Sequence, residues 1–130
     1  MQRVAAAFVV VSLLLMGSIT IFGAEPVAIS AYDLHKAGSD DSRAAEAQYL
    51  GKTVLVKGIV VSKGISKYLT PTVTLSSSAG GPELIICVLP RLDVAKLSNF
   101  EPGQSVTFSG KVYRMSERVV MKECTTTENH

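Results

Sequence analysis

The stretch G-K-T-V-L-V-K-G-I-V, residues 51–60, decides the fold. Val54, Val56 and Val60 recur at the period of two that marks one face of a β-strand. Gly58 falls on that same face, where a strand interior is weakened by lacking a side chain. The pattern returns in G-Q-S-V-T-F-S-G-K-V, residues 103–112, with Gly110 in the equivalent place. A glycine on the core parity suits a strand that must coil sharply, because it removes a Cβ that would strike the facing wall. Gly58 and Gly110 are therefore expected to be bend points of a small barrel.

Working outward, period-two patterning predicts strands at 52–62, 69–76, 83–89, 104–113 and 118–124. The gap between the third and fourth is helical in character, with Leu92, Ala95, Leu97 and Phe100 near one face. Three strands, a helix and two strands is the order of an OB-fold. The expected class is mainly β, a five-stranded OB-fold Greek-key barrel preceded by short N-terminal helices. Ser30 is placed to cap a first helix over A-Y-D-L-H-K-A, with Gly38 ending it. A cap within residues 39–42 opens a second over R-A-A-E-A-Q-Y-L, which Gly51 terminates.

The opening residues read as a targeting segment. Arg3 supplies a positive start, residues 4–16 are nearly all apolar, and Gly17, Ser18, Gly23 and Ala24 precede Glu25. Cleavage after Ala24 is one reading, although Phe22 is bulky where a cleavage site wants a small residue. Retention of residues 4–22 as an anchor is the other, since that run approaches the roughly 20 residues that span a bilayer. The expected organisation is a signal peptide or anchor at 1–24, a helical preface at 25–50 and a barrel at 51–130. The folded part is expected to be periplasmic or secreted, and membrane-bound only through an uncleaved N-terminal segment.

Three runs together, A-E-A-Q-Y-L-G-K-T-V-L-V-K-G-I-V, P-G-Q-S-V-T-F-S-G-K-V and V-V-M-K-E-C, resemble the tRNA-anti-like OB-fold family of exported bacterial proteins. The resemblance spans residues 29–124 and implies a fold and an exported address. Many members look like lipoproteins, whereas the two cysteines of this chain are Cys87 and Cys124, far from the leader.

Those cysteines lie in the third and fifth expected strands, neighbours at the closure of an OB barrel. An oxidising compartment favours a Cys87–Cys124 disulfide, which would stabilise by about 4 kcal/mol on a chain-entropy view. The alternative is two buried free thiols. No C-x-x-C is present for redox work, and no histidine stands near either cysteine for a zinc site. No metal or cofactor is expected.

Catalytic patterns are also missing. The G-K-T of residues 51–53 imitates the end of a P-loop, but Glu46 stands where the leading glycine belongs. His35 lies in the preface and His130 is the last residue, so neither is expected to be held as a base. Asp40 and Asp41 fall where helix capping accounts for them. The chain is expected not to be an enzyme, with no catalytic residue assigned.

Charge sets modest limits on partners. The full sequence has formal net charge +2, and its acids concentrate in residues 25–50. An OB barrel commonly binds through its second and third strands and the loops joining strands 1 to 2 and 4 to 5. Lys63, Lys67 and Tyr68 fall in the first loop, and Tyr113, Arg114 and Arg118 around the second; they are expected to share one rim. The third strand, L-I-I-C-V-L, is apolar on both parities, so its outer side needs a cover, either residues 30–50 or a partner. The functional expectation is an exported, non-enzymatic OB-fold binding or interaction module, with an envelope protein or a polyanion as partner. The alternative is an oligonucleotide or other polyanion binder using that rim, with nucleic-acid binding weak because the chain has no tryptophan to stack on bases.

Overall fold

The computed structural model describes residues 26–127. The leader with Arg3, the expected mature start at Glu25, and His130 lie outside them. The elements are β1 (Val27–Ser30), α1 (Ala31–Asp40), α2 (Ser42–Tyr49), β2 (Thr53–Ile65), β3 (Pro71–Ser76), β4 (Ile85–Val88), a 3-10 helix (Arg91–Asn99), β5 (Ser105–Met115) and β6 (Val119–Thr126). The sheet runs β1-β2-β3-β4-β6-β5, and β5 returns to pair with β2, closing a five-stranded barrel with β1 appended. The β4–β6 pair is parallel and completes the OB arrangement.

The 13 residues of β2 make the closure possible. Thr53 to Ile59 pair with β5, and Ile59 to Ile65 pair with β3. The change of partner falls beside Gly58. A Cβ there would lie 3.0 Å from the Ala31 Cβ, 3.0 Å from the Ser76 carbonyl oxygen and 3.2 Å from the Leu75 Cβ. Close approach is thus as important as coiling: β1 pairs with β2 up to Lys57, β3 pairs from Ile59 onward, and the chain turns into α1 in the gap between. Gly110 sits opposite Val54 on the core side. Its Cβ would come within 2.8 Å of the Cys124 Sγ and 2.9 Å of the Met121 Cε.

The four-residue β1 is an additional strand, parallel to β2, in a segment expected to be helical. V-A-I-S is too short to display a period. Ser30 caps α1 as expected, its Oγ accepting the Asp33 N–H at 3.0 Å. Gly38 does not end that helix, which continues to Asp40. Gly38 is buried, and a Cβ there would be in ordinary contact with Met115 at 3.5 Å, so tertiary packing outweighs its poor helix propensity. Asp41 caps α2 through the Ala44 N–H at 3.1 Å.

The helical run after β4 also departs from expectation. At three residues per turn, side chains at i and i+3 eclipse, so Leu97 and Phe100 share one face while Leu92 and Ala95 share another. Leu97 and Phe100 are buried, and the Phe100 and Phe108 rings stand 5.4 Å apart. Leu92 is 93% exposed. One end of the core is therefore stoppered by the 3-10 helix, and the other by α1 through the fully buried Leu34. Ala45 and Tyr49 of α2 join the same core.

Candidate functional site

The outer face of β3 and β4 is the surface an OB barrel commonly uses. It is partly closed here. Helix α1 packs on β1, β2, β3 and β6, and α2 packs on α1 and β5. Ile86 and Val88, the outward residues of β4, are half-buried, whereas Thr74 and Ser76 of β3 are buried outright. The β3–β4 loop folds back onto Ser76: a Cβ on Gly81 would stand 2.6 Å from the Ser76 Oγ. That hydroxyl is enclosed without a hydrogen-bond partner among the described residues.

The six expected rim residues do not share a rim. Residues 66–70 precede β3 and sit beside the end of β4, where the Leu89 N–H donates to the Pro71 carbonyl at 3.0 Å. The β5–β6 turn lies at the other end of both strands, since Leu75 pairs with Ile85 and Ile85 with Val119. A six-residue strand separates the two by roughly 17 Å.

Lys63 is not in a loop. It pairs with Val73 on the core-facing register of β2, and its ammonium donates to the Leu97 carbonyl at 3.0 Å and lies 3.7 Å from Glu101. It secures the C-terminal end of the 3-10 helix, where a cation complements the exposed carbonyls. Arg118 is held by Glu83 at 2.5 Å. Lys67 stands 5.3 Å from the centroid of the exposed Tyr68 ring. Arg114 is exposed opposite Val120.

Tyr113 belongs to a different constellation, two of whose members sequence reasoning missed. Between Val112↔Met121 and Arg114↔Val120, β5 carries one residue more than β6, so Tyr113 is bulged outward. Between Lys111↔Lys122 and Ser109↔Thr125 the surplus is on β6, where Glu123 adopts φ +56°. Bulges re-aim side chains and recur beside functional sites. Here they flank a groove of about 380 Å³ lined by Leu50, Gly51, Lys111, Val112, Tyr113, Lys122 and Glu123. Lys111 and Lys122 are directly opposed across the ladder, an arrangement that destabilises a sheet by like-charge repulsion. Neither has a carboxylate within ion-pair distance among the described residues. The Lys122 ammonium lies 3.7 Å from the Tyr113 ring centroid, and Tyr113 is 54% exposed. Two cations, an aromatic ring and the exposed Leu50 make a surface for an anionic ligand with flat or apolar parts.

Cys87 and Cys124 are free thiols, both fully buried. Burial pushes the Cys87 thiol well above the ordinary thiol range, and the neighbouring Cys124 adds to the shift. The αL residue Glu123 returns Cys124 to the core side, so the two side chains meet as adjacency of the strands predicts. His35 has its Nε2 3.1 Å from the Glu117 carbonyl, tying α1 to the β5–β6 turn.

A family model described as tRNA_anti-like matches residues 16–125. Among curated proteins there is no match. Of solved structures, the chain is similar to a candidate nucleic acid-binding lipoprotein of Klebsiella pneumoniae, with TM-score 0.67 and 17% identity over 79% of this chain and 92% of that one. It is also similar to part of a candidate aspartyl-tRNA synthetase of Leishmania major, with TM-score 0.53 and 11% identity over 82% of this chain and 21% of that one. These likenesses concern the fold.

Proposed function

Because the chain belongs to the tRNA_anti-like family, we propose that it is an exported, non-catalytic OB-fold binding module whose ligand is a polyanion held in the groove of Tyr113, Lys111 and Lys122. The opposed Lys111 and Lys122 carry the reading. A sheet gains nothing from two directly facing cations, and an anion bound between them removes the repulsion. The exposed Tyr113 ring adds a stacking surface, one face of which Lys122 occupies. The exported address is supported by the Arg3 and apolar-leader pattern and by the likeness to a lipoprotein.

Single-stranded nucleic acid and an anionic glycan share the required charge and differ in stacking. Titration of an oligothymidylate and a sulfated glycan at two salt concentrations separates them. Replacing Lys111 and Lys122 together by glutamate should weaken binding of either ligand and flatten its salt dependence, the slope for oligothymidylate falling by about 0.7 for each lysine withdrawn from a phosphate. Tyr113→Ala should weaken the oligonucleotide by about 1–3 kcal/mol, if a base stacks there, and leave the glycan nearly unchanged. Binding undiminished in the double variant would place the ligand elsewhere. If neither ligand binds at low salt, an envelope protein partner becomes the better account.

A further inference from the structure

The loop joining β2 to β3 presents apolar side chains to solvent on a fastened backbone. The Ser66 Oγ accepts the N–H groups of Tyr68 and Thr70 at 3.1 and 3.2 Å. The Leu69 N–H donates to the Ser66 carbonyl at 2.9 Å, and the Ser66 N–H to the Thr70 carbonyl at 2.9 Å. At the apex Tyr68 and Leu69 are each 67% exposed, and Leu69 has φ +60°. A leucine in the left-handed region is strained where glycine or asparagine is not. An exposed leucine in that position gives the core nothing in return, so its use lies outside the fold.

The same end of the barrel carries more of this chemistry. The 3-10 helix starts two residues after Leu89, which is hydrogen-bonded to Pro71 at the foot of the loop. Of nine large hydrophobics exposed among the described residues, Tyr68, Leu69, Leu92 and Val94 belong to these two segments, and Ile65 ends β2 beside them. The acids nearby are paired, Asp93 with Lys96 at 3.6 Å and Glu101 with Lys63 at 3.7 Å. Lys67 and Arg91 have no carboxylate partner among the described residues.

We propose that this end is a membrane-contact tip, with Tyr68, Leu69 and Leu92 entering the headgroup region of an anionic bilayer and Lys67 and Arg91 meeting lipid phosphates. A protruding tip needs no matching concavity in a bilayer. Leucine provides apolar area, tyrosine an amphipathic ring suited to the interface, and the cations an attraction to anionic lipid. The inference is independent of the groove described above.

The full chain tests it through a local probe. An environment-sensitive fluorophore is attached through Leu69→Cys or Leu92→Cys, with Ser116→Cys in the β5–β6 turn as the distant control. The native thiols are fully buried and do not compete in the folded protein. With vesicles of phosphatidylethanolamine and phosphatidylglycerol at three to one, the probes at 69 and 92 should shift to the blue and be quenched by nitroxide-bearing lipid, while the probe at 116 stays in water. Vesicles of phosphatidylcholine should give little of this. Adding Lys67→Gln and Arg91→Gln should reduce the inserted fraction on anionic vesicles, by about fivefold per cation while binding is unsaturated. Because the readout is local, an anchoring leader does not mask it. Probes at 69 and 92 that remain in water on vesicle-bound protein overturn the proposal and point to a protein partner for the tip. Equal shifts on both vesicle types overturn the role of the cations.

Discussion

Gly58 and Gly110 are bare because other atoms occupy the space a side chain would need, and alanine suffices to show it. At Gly58 the new Cβ meets backbone and the first residue of α1 at 3.0 Å. Gly58→Ala should destabilise by about 1–3 kcal/mol, the range for overpacking a filled core. Gly110→Ala should do likewise against the Cys124 Sγ, with part of the strain relieved by the flexible Met121. Gly64→Ala meets nothing within 4 Å and should be neutral or gain a few tenths of a kcal/mol. Denaturant midpoints of the three variants decide; a Gly58→Ala protein as stable as the parent removes the close-approach explanation. The thiols support a second test. Cys87 keeps its proton more firmly folded than unfolded. The stability of the reduced protein should therefore be full below the unfolded thiol pKa of about 8.5 and decline as pH rises above it, by up to about 1.4 kcal/mol per unit. Protein recovered from an oxidising compartment should instead carry the Cys87–Cys124 disulfide and lack this loss. Alkylation after unfolding without reductant distinguishes the forms, and labelling of both thiols excludes the bond.

At the scale of elements, what was legible in the sequence was what has a period. The five barrel strands and the helical gap after the third show as runs of alternation or spacing, and the Ser30 cap shows as a residue type at a helix start. β1 was hidden because four residues have no period, and the continuation of α1 through Gly38 because it depends on Met115, far along the chain. The groove was hidden for a sharper reason. The facing of Lys111 and Lys122 is a fact of register, and register here turns on bulges at Tyr113 and Glu123, ordinary residues that carry no turn signal. Lys63 departs from expectation for a different cause: its strand runs three residues past the expected end at 62, turning a loop lysine into a helix-end contact. Lys63→Met should thus lower stability by about 0.5–1.5 kcal/mol, the ordinary net worth of a hydrogen bond, and leave polyanion affinity unchanged. A drop in affinity at unchanged stability would restore it to a binding role.

Over the whole molecule, the division into a helical preface and a barrel has no counterpart in the core. Ala31, Leu34, Ala45 and Tyr49 come from the preface and are buried with the barrel's own side chains. α1 enters beside Gly58 and stoppers one end, so removing it uncovers core side chains of the barrel such as Met115, against which Gly38 packs. Leu34→Ala should cost about 2–5 kcal/mol, the range for deleting a buried leucine, whereas Tyr32→Ala, on the exposed side of the same helix, should stay within about 0.5 kcal/mol. A domain of this size has a total stability of about 5–15 kcal/mol. Removing four buried side chains and the stopper is comparable with that total. A chain beginning at Gly51 should therefore fail to unfold cooperatively and should show collapsed amide dispersion by NMR, while one beginning at Glu25 should fold. Cooperative unfolding of the 51–130 fragment, with a midpoint near that of the longer chain, would mean that α1 only rests on a barrel complete without it.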